Sequence, residues 1–369
     1  MTEPIPHEIR RYPPTQNKSL RAWSAADEHI LKWFDDNQIE PENILILNDR
    51  FGYLTCHFNS SDVSVIADNR SQLKSTKKNL SNNQLDESTI QFLNPLEDID
   101  KPFSYVCLNI PKSLEQFRFY LQKIHSVSTE ESVVICGFMT RHFTPAILEV
   151  AQEYFEDVSQ SLAWKKSRVL VLKRKKTQVR QIEVDSFTDT LPNGSEIKLK
   201  QYPGVFSLNR IDNATRFLVS NLSFEADDQH ILDLGSGNGV LAKVVQIEKP
   251  GADIHLMDDS YLAIESSRLN MDEGSVSFHW TDTLDDIDED IKFDLVISNP
   301  PFHLEYEVNT EVAVELFREV AGRLNQGGRF LCVANRHLGY RPHLKKFFTK
   351  CDELVSNKKF VIYSCRMNS

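Results

Sequence analysis

Short runs of β-branched and other apolar residues alternate along this chain with longer segments whose apolar positions recur every three or four residues. In the C-terminal half, Ile231–Leu234, Asp253–Met257, Ser275–His279, Leu295–Ser298, Arg329–Ala334 and Phe360–Ser364 have the character of strands. Residues 239–248, 260–270, 310–324 and 341–350 have the character of helices. Alternation of this kind predicts a doubly wound, mostly parallel α/β sheet. The first half alternates in the same way, so the 369 residues read as two domains, 1–177 and 178–369. In such sheets ligands bind beyond the carboxyl ends of the strands.

The two halves also echo each other. Ile44-Leu-Ile-Leu-Asn-Asp-Arg-Phe-Gly52 has the pattern of Ile231-Leu-Asp-Leu-Gly-Ser-Gly-Asn-Gly239. Phe103-Ser-Tyr-Val-Cys-Leu-Asn-Ile-Pro111 has that of Phe293-Asp-Leu-Val-Ile-Ser-Asn-Pro-Pro301. Gly52 and Gly239 are 187 residues apart, Asp68 and Asp258 190, Asn109 and Asn299 190, and His142 and His337 195. Four matches in register point to a duplicated fold.

Composition narrows the setting. The net charge is −11, from 42 basic and 53 acidic residues, which argues against a wholly basic nucleic-acid binder but leaves room for a local basic patch. Six scattered cysteines include no Cys-x-x-Cys pair, so buried thiols in a reducing compartment are expected and a metal site is not. The first residues carry neither a basic nor an apolar leader region. No apolar run approaches the roughly 20 residues of a membrane span, and a cytoplasmic monomer without membrane contact is the expectation.

Two motifs carry chemistry. The first is Asp233-Leu-Gly-Ser-Gly-Asn-Gly239. Asp233 ends a buried strand, and Gly235, Gly237 and Gly239 let the backbone turn and approach a nucleotide-like cofactor. The following helix offers free amides at its N-terminus. A nicotinamide cofactor uses a similar loop. Asp258, ending the next strand, is placed to bind ribose hydroxyls, with Asp259 as a competing candidate. Asp282, after the third strand, is placed to reach an adenine amine, or it simply opens a solvated acidic loop.

The second motif is Asn299-Pro-Pro-Phe-His303, after the fourth strand. An amine on an aromatic base is a poor nucleophile, because its lone pair is delocalised into the ring. The Asn299 side-chain carbonyl and the Pro300 backbone carbonyl could accept its two N–H groups, and Phe302 could stack on the base. Catalysis would then be mainly orientation. His303 reads as packing or capping at least as well as contact. The order and separation of the two motifs are those of an S-adenosylmethionine-dependent amino-methyltransferase. Upstream, Phe206, Asp212 and Arg216 could close over the cofactor; core packing for Phe206 and an Asp212–Arg216 ion pair are the plainer readings.

Lys165, Lys166, Arg168, Lys173, Arg174, Lys175, Lys176 and Arg180 crowd the join between the halves. A solvated strand edge and contact with nucleic acid are both consistent with this run. Leu191-Pro-Asn-Gly194 then reads as a turn between two extended segments.

With Pro203-Gly-Val-Phe-Ser207, Asp233–Gly239 and Asn299-Pro-Pro-Phe-His303, the chain resembles the bacterial ribosomal RNA guanine-N2-methyltransferases. Tyr12-Pro13, Leu20–Glu28, Leu162-Ala-Trp-Lys-Lys166 and Ala334-Asn-Arg-His-Leu338 resemble the large-subunit branch of that family more than the small-subunit one. The resemblance implies two tandem Rossmann-like methyltransferase domains, of which only the second is active. It further implies methyl transfer from S-adenosylmethionine to the 2-amino group of one guanine in 23S ribosomal RNA. Ser236 stands where the family commonly has Cys. Ile46, Asn48 and Arg50 stand where Asp233, Gly235 and Gly237 do, and Asn109-Ile-Pro-Lys112 replaces Asn299-Pro-Pro-Phe302. The first half therefore reads as a degenerate domain that recognises RNA and stabilises the protein.

Overall fold

The computed structural model describes residues 7–15, 17, 19–181, 183–207, 210–300 and 310–367. The chain divides into two compact units, Met1–Glu183 and Val184–Ser369. The N-terminal unit runs α1 (Ala25–Asn37), β1 (Asn43–Leu47), α2 (Tyr53–His57), β2 (Asp62–Ile66), α3 (Arg70–Asn82), β3 (Ile90–Leu93), β4 (Phe103–Asn109), α4 (Leu114–Val127), β5 (Ser128–Met139), α5 (Pro145–Tyr154), β6 (Phe155–Gln160) and β7 (Ser167–Lys175). Its strands lie in the order β3-β2-β1-β4-β5-β7-β6. The first five are parallel, and β7 is antiparallel to both neighbours.

The C-terminal unit opens with a hairpin, β8 (Asp185–Thr190) and β9 (Glu196–Gln201), around the turn at Leu191–Gly194. It continues α6 (Asn213–Val219), β10 (His230–Leu234), α7 (Val240–Glu248), β11 (Asp253–Asp258), α8 (Tyr261–Arg268), β12 (Val276–Trp280), β13 (Phe293–Ser298), α9 (Thr310–Arg323), β14 (Leu324–Asn335), α10 (Arg341–Leu344), β15 (Lys350–Ser356) and β16 (Phe360–Arg366). The order β12-β11-β10-β13-β14-β16-β15 repeats that of the first unit strand for strand. Two Rossmann-like sheets in tandem are thus the architecture.

Each sheet is covered on both faces, which is why its central strands are continuously apolar rather than alternating. Ile44 and Ile46 face one core and Leu45 and Leu47 the other, all four fully buried. In the second unit Ile231 and Leu295 pack on one side, Leu232 and Val296 on the other. Each such side chain stabilises the fold by about 1.5–3 kcal/mol relative to exposure. All six cysteines are buried free thiols.

The repeat extends further upstream than the four matched motifs. On α3, Asn79 donates to the carbonyls of Arg10 (2.8 Å) and Phe51 (2.8 Å) and accepts the Arg10 amide (2.9 Å). Just after α8, Asn270 donates to the carbonyls of Lys200 (2.7 Å) and Asn238 (2.8 Å) and accepts the Lys200 amide (2.7 Å). In both units one asparagine pins the incoming segment to the loop after the first strand.

One expectation fails. The helix expected over 341–350 ends at Leu344, and Lys350–Ser356 forms strand β15. Of the two readings of the basic run, the strand edge does not hold for the part within β7, Arg168 and Lys173–Lys175, because β7 is flanked by β5 and β6.

Candidate active site

The glycine loop leaves β10 at Leu234 and turns through positive φ at Gly235 (73°), Gly237 (55°) and Gly239 (78°). Its glycines serve different ends. A Cβ on Gly239 would meet Ser267 Cβ at 2.8 Å, so this glycine lets α7 pack against α8. A Cβ on Gly237 would meet nothing within 4 Å, so the loop faces open space there.

The fully buried Asp233 accepts the amide of Ala242 in the first turn of α7 (2.9 Å) through Oδ2. It thereby replaces the side-chain cap that Gly239 cannot provide. Its Oδ1 is buried without a hydrogen-bond partner. Burial pushes the Asp233 carboxyl up to about 7, and the charge of Asp258 pushes the same way. Asp258 accepts the amides of Gly237 (2.9 Å) and Ser260 (2.9 Å), tying the loop to the start of α8; burial raises its pKa too. Asp282 is half-buried, one residue beyond Thr281, whose amide donates to the Asp258 carbonyl (3.1 Å). The side chain of Asp259 is half-buried, and its carbonyl accepts the Trp280 indole N–H (2.8 Å).

Asn299 follows β13, the neighbour of β10; the last pair in that register is Leu234 with Ser298. Asn299 Nδ2 donates to Asp212 Oδ2 (3.2 Å) and Thr215 Oγ1 (3.0 Å). Asp212 is the N-cap of α6 and also accepts the amides of Ala214 (2.8 Å) and Thr215 (3.2 Å). The amide plane of Asn299 is therefore fixed, and its carbonyl oxygen has no hydrogen-bond donor among the described residues. Pro300 is buried. Phe302 and His303 lie outside the described residues.

The structure thus collects Asp233, Gly235, Gly237, Gly239, Asp258, Asp282, Asn299 and Pro300 at the carboxyl ends of β10–β13. Arg216 does not pair with Asp212. It forms an ion pair with Asp189 and donates to the Thr190 carbonyl (2.7 Å), which secures α6 to β8. Phe206 is 66% exposed rather than core. Thr215 was not anticipated, although Asp212-Asn-Ala-Thr215 has the composition of a helix N-terminus.

The same rim of the N-terminal unit is built otherwise. Asn48 keeps the positive φ of Gly235, and Gly52 keeps both the φ and the tight packing of Gly239, its Cβ position lying 2.8 Å from Thr76. Ile46 cannot cap α2. Asp49, within the loop, does so instead, accepting the Thr55 amide and hydroxyl (both 2.8 Å). Burial, reinforced by the charge of Asp27, pushes Asp49 up to about 7. Asn109 donates to Asp27 (2.7 Å) near the start of α1, much as Asn299 donates to Asp212.

Comparison with known proteins fits this geometry. Residues 2–177 match the RLMG N-terminal domain family and residues 196–364 the methyltransferase small domain family. The ribosomal RNA large subunit methyltransferase G of Shewanella frigidimarina is 32% identical, over 96% of each chain. That of Psychromonas ingrahamii is 30% identical, over 96% of this chain and 95% of the relative. The chain belongs to the ribosomal RNA large subunit methyltransferase G family. Its fold is shared by a T. thermophilus 16S rRNA N2 methyltransferase solved with AdoMet and guanosine, with a TM-score of 0.79 at 19% identity over 96% of this chain and 94% of that one. Among the described residues no helix is long and apolar enough to cross a membrane, and no cluster of His, Cys, Asp and Glu could hold a metal ion.

Proposed function

We propose that the C-terminal unit transfers a methyl group from S-adenosylmethionine to the exocyclic 2-amino group of a guanine in 23S ribosomal RNA, in the cytoplasm and as a monomer. The observation that carries this reading is Asn299: Asp212 and Thr215 hold its NH2 group, which leaves its carbonyl to accept from an amine beside the glycine loop. Asp233, Gly235, Gly237, Asp258 and Asp282 would hold the cofactor. The orphan Oδ1 of Asp233 supplies an acceptor and Gly237 the open approach. Bound there, S-adenosylmethionine supplies an electrophilic methyl group on a sulfonium.

The chain's own residues do the rest. Asn299 Oδ1 and the Pro300 carbonyl accept the two N–H groups, and Phe302 supports the base plane. The nitrogen lone pair is thereby directed at the methyl carbon. With S-adenosylmethionine bound, this alignment would let the nitrogen take the methyl group as the sulfonium leaves as a neutral thioether. The methylated nitrogen then carries a positive charge and is acidic, so its proton passes to water without a dedicated base. Orientation of this kind is worth several kcal/mol in a reaction between bound partners.

The N-terminal unit, with Asp49 and Arg50 in the loop, is the RNA-recognition half. The test is incubation of the protein with radiolabelled S-adenosylmethionine and ribosomal RNA from a strain lacking the gene. Digestion to nucleosides should recover the label as N2-methylguanosine from 23S RNA. Label confined to 16S RNA, or to another atom, would overturn the assignment.

A further inference from the structure

We propose that each unit carries a basic corner that grips the phosphodiester backbone of the substrate RNA, and that Lys173–Lys175, at the far end of the basic run, make no such contact. This inference rests on the reading of the substrate as RNA. In the N-terminal unit Lys165 and Lys166 form the tip of a two-residue hairpin, closed by Trp164 N–Ser167 O (2.9 Å) and Ser167 N–Trp164 O (2.8 Å). Both lysines have positive φ, 46° and 62°. Such a tip ordinarily favours Asn-Gly, and two lysines there are held against their backbone preference. A single turn of 3-10 helix, Thr140–His142, is strapped to the tip: the Thr140 amide (2.9 Å) and hydroxyl (3.1 Å) donate to the Lys166 carbonyl. The strap brings exposed Arg141 beside the lysines. Exposed Lys112 lies close by, its charge and that of Arg141 adding to burial in lowering the pKa of His142.

The C-terminal unit repeats the device. Lys358 and Lys359 tip the β15–β16 hairpin, where Asn357 Oδ1 accepts the amides of Lys359 (2.8 Å) and Phe360 (2.7 Å). The 3-10 turn Arg336–Leu338 is strapped on by Arg336 N–Lys359 O (3.0 Å) and Arg336 Nη1–Asn357 O (3.2 Å). Arg336, His337, Lys358 and Lys359 are all exposed. Lys165 Nζ lies 4.3 Å from the Trp164 ring centroid and Lys359 Nζ 5.0 Å from that of Phe360. Among the described residues no carboxylate pairs with Arg141, Lys166, Arg336, Lys358 or Lys359, while Lys165 shares Glu28 (2.8 Å).

Folding does not explain the side chains of Arg141, Lys166, Lys358 or Lys359, whereas Arg336 also serves its own strap and Lys165 its pair with Glu28. The straps use mainly backbone carbonyls, which any residue supplies. Cofactor binding does not explain them either, because the first unit has changed its glycine loop and its Asn-Pro-Pro turn yet kept the corner. In a chain of net charge −11, two small sites of concentrated positive field suit a polyanion. The other end of the basic run differs. Lys173, Arg174 and Lys175 close the far end of β7, roughly 23–30 Å from the tip. There Arg174 is already paired with Asp157 at 2.6 and 2.7 Å.

The experiment uses the full chain and three double variants: R141Q with K166Q, K358Q with K359Q, and K173Q with K175Q as control. Affinity for a 23S ribosomal RNA transcript is measured across a series of KCl concentrations, alongside S-adenosylmethionine affinity and thermal melting. Each phosphate contact contributes about 0.7–0.9 to the slope of log affinity against log salt. Each corner variant should lower that slope by about 1–2 and weaken binding roughly ten-fold at moderate salt. The control should match the wild type, and cofactor affinity should not change. Corner variants that melt like the wild type and keep its slope would overturn the proposal, as would a control that falls as far as they do. The reaction is tested separately. Wild-type protein that modifies no guanine in 23S RNA, with corner slopes still reduced, overturns the reaction and supports the corners. Active corner variants with wild-type slopes overturn the corners alone.

Discussion

At the end of β1 stands Ile46, and at the end of β10 stands Asp233. The two positions face the same local problem, a short helix whose first amides need an acceptor behind a glycine that offers none. The C-terminal unit solves it from the strand, with a carboxylate that keeps one oxygen unengaged. The N-terminal unit solves it from within the loop, with Asp49, and sets Arg50 where Gly237 leaves open space. The folding requirement is thus met twice, and on the proposed function the ligand requirement is met once. What distinguishes the two units is where the cap comes from and what then remains free, not the fold, and the proposed function assigns the chemistry to the unit that keeps a free oxygen.

Substitutions in matched pairs would sharpen or break that comparison. The largest effect is expected at the loop. Gly237→Val should remove detectable S-adenosylmethionine binding, because the side chain enters the open space and the residue must keep a φ of 55° that valine resists. Arg50→Val should leave cofactor titration unchanged at one cofactor per chain. A stoichiometry of two in the wild type would end the distinction between the units.

Next in size is the asparagine pair. Asn299→Ala should lower kcat about 10²–10³-fold by removing a positioned acceptor, with cofactor affinity preserved. Asn109→Ala should leave the chemical step intact and instead destabilise the N-terminal unit by about 1–3 kcal/mol, since the buried Asp27 loses a donor. Single-turnover rates and denaturant melts separate the two effects. Equal loss of kcat in both would contradict the comparison.

A smaller effect is expected one layer out. Asp212→Ala should lower kcat about ten-fold by freeing the Asn299 amide, and should cost α6 about 1 kcal/mol of capping. Asp212→Asn, which caps nearly as well, should restore stability and recover part of kcat. A variant as active as the wild type would remove Asp212 from positioning.

The smallest effect concerns pH, where the two units should behave alike. Asp49 and Asp233 are each pushed up to about 7 by burial. An acid whose folded pKa exceeds its unfolded value of about 4 holds more protons when folded, so stability declines as pH rises from about 4 through 7. Asp49→Asn and Asp233→Asn keep an acceptor for the helix amide and remove the charge. Each should raise the melting temperature by a few degrees at pH 8, with the gain fading as pH falls toward 4. Destabilisation at every pH would show that the carboxylates are charged and satisfied.

The duplicated sheet was legible in the sequence because buried parallel strands leave continuous apolar runs, and Ile44–Leu47 and Leu295–Ile297 are such runs. The glycine loop and Asn299 were legible because their residue types are required by backbone geometry and by hydrogen bonding. β15 was not, because an edge strand with the burial of Lys350–Ser356 shows no apolar face and follows a helix without a strong stop. The capping role of Asp49 was hidden because the acid moved three positions from the strand end to the loop, out of register with Asp233. The hold of Thr215 on Asn299 spans 84 residues and has no local signature.

The asparagine clamp gives the protein a built-in pair of exchange probes. Asn270 binds both backbone groups of Lys200 while also holding the Asn238 carbonyl in the glycine loop. Stiffening of that loop by a ligand should therefore slow deuterium uptake at the Lys200 amide, which lies outside the loop. The Arg10 amide sits in the matching clamp on Asn79 beside a loop already closed by Asp49, so its uptake should not respond. A single labelled sample would then carry its own zero, and the ratio of the two amides would report occupancy of the loop directly.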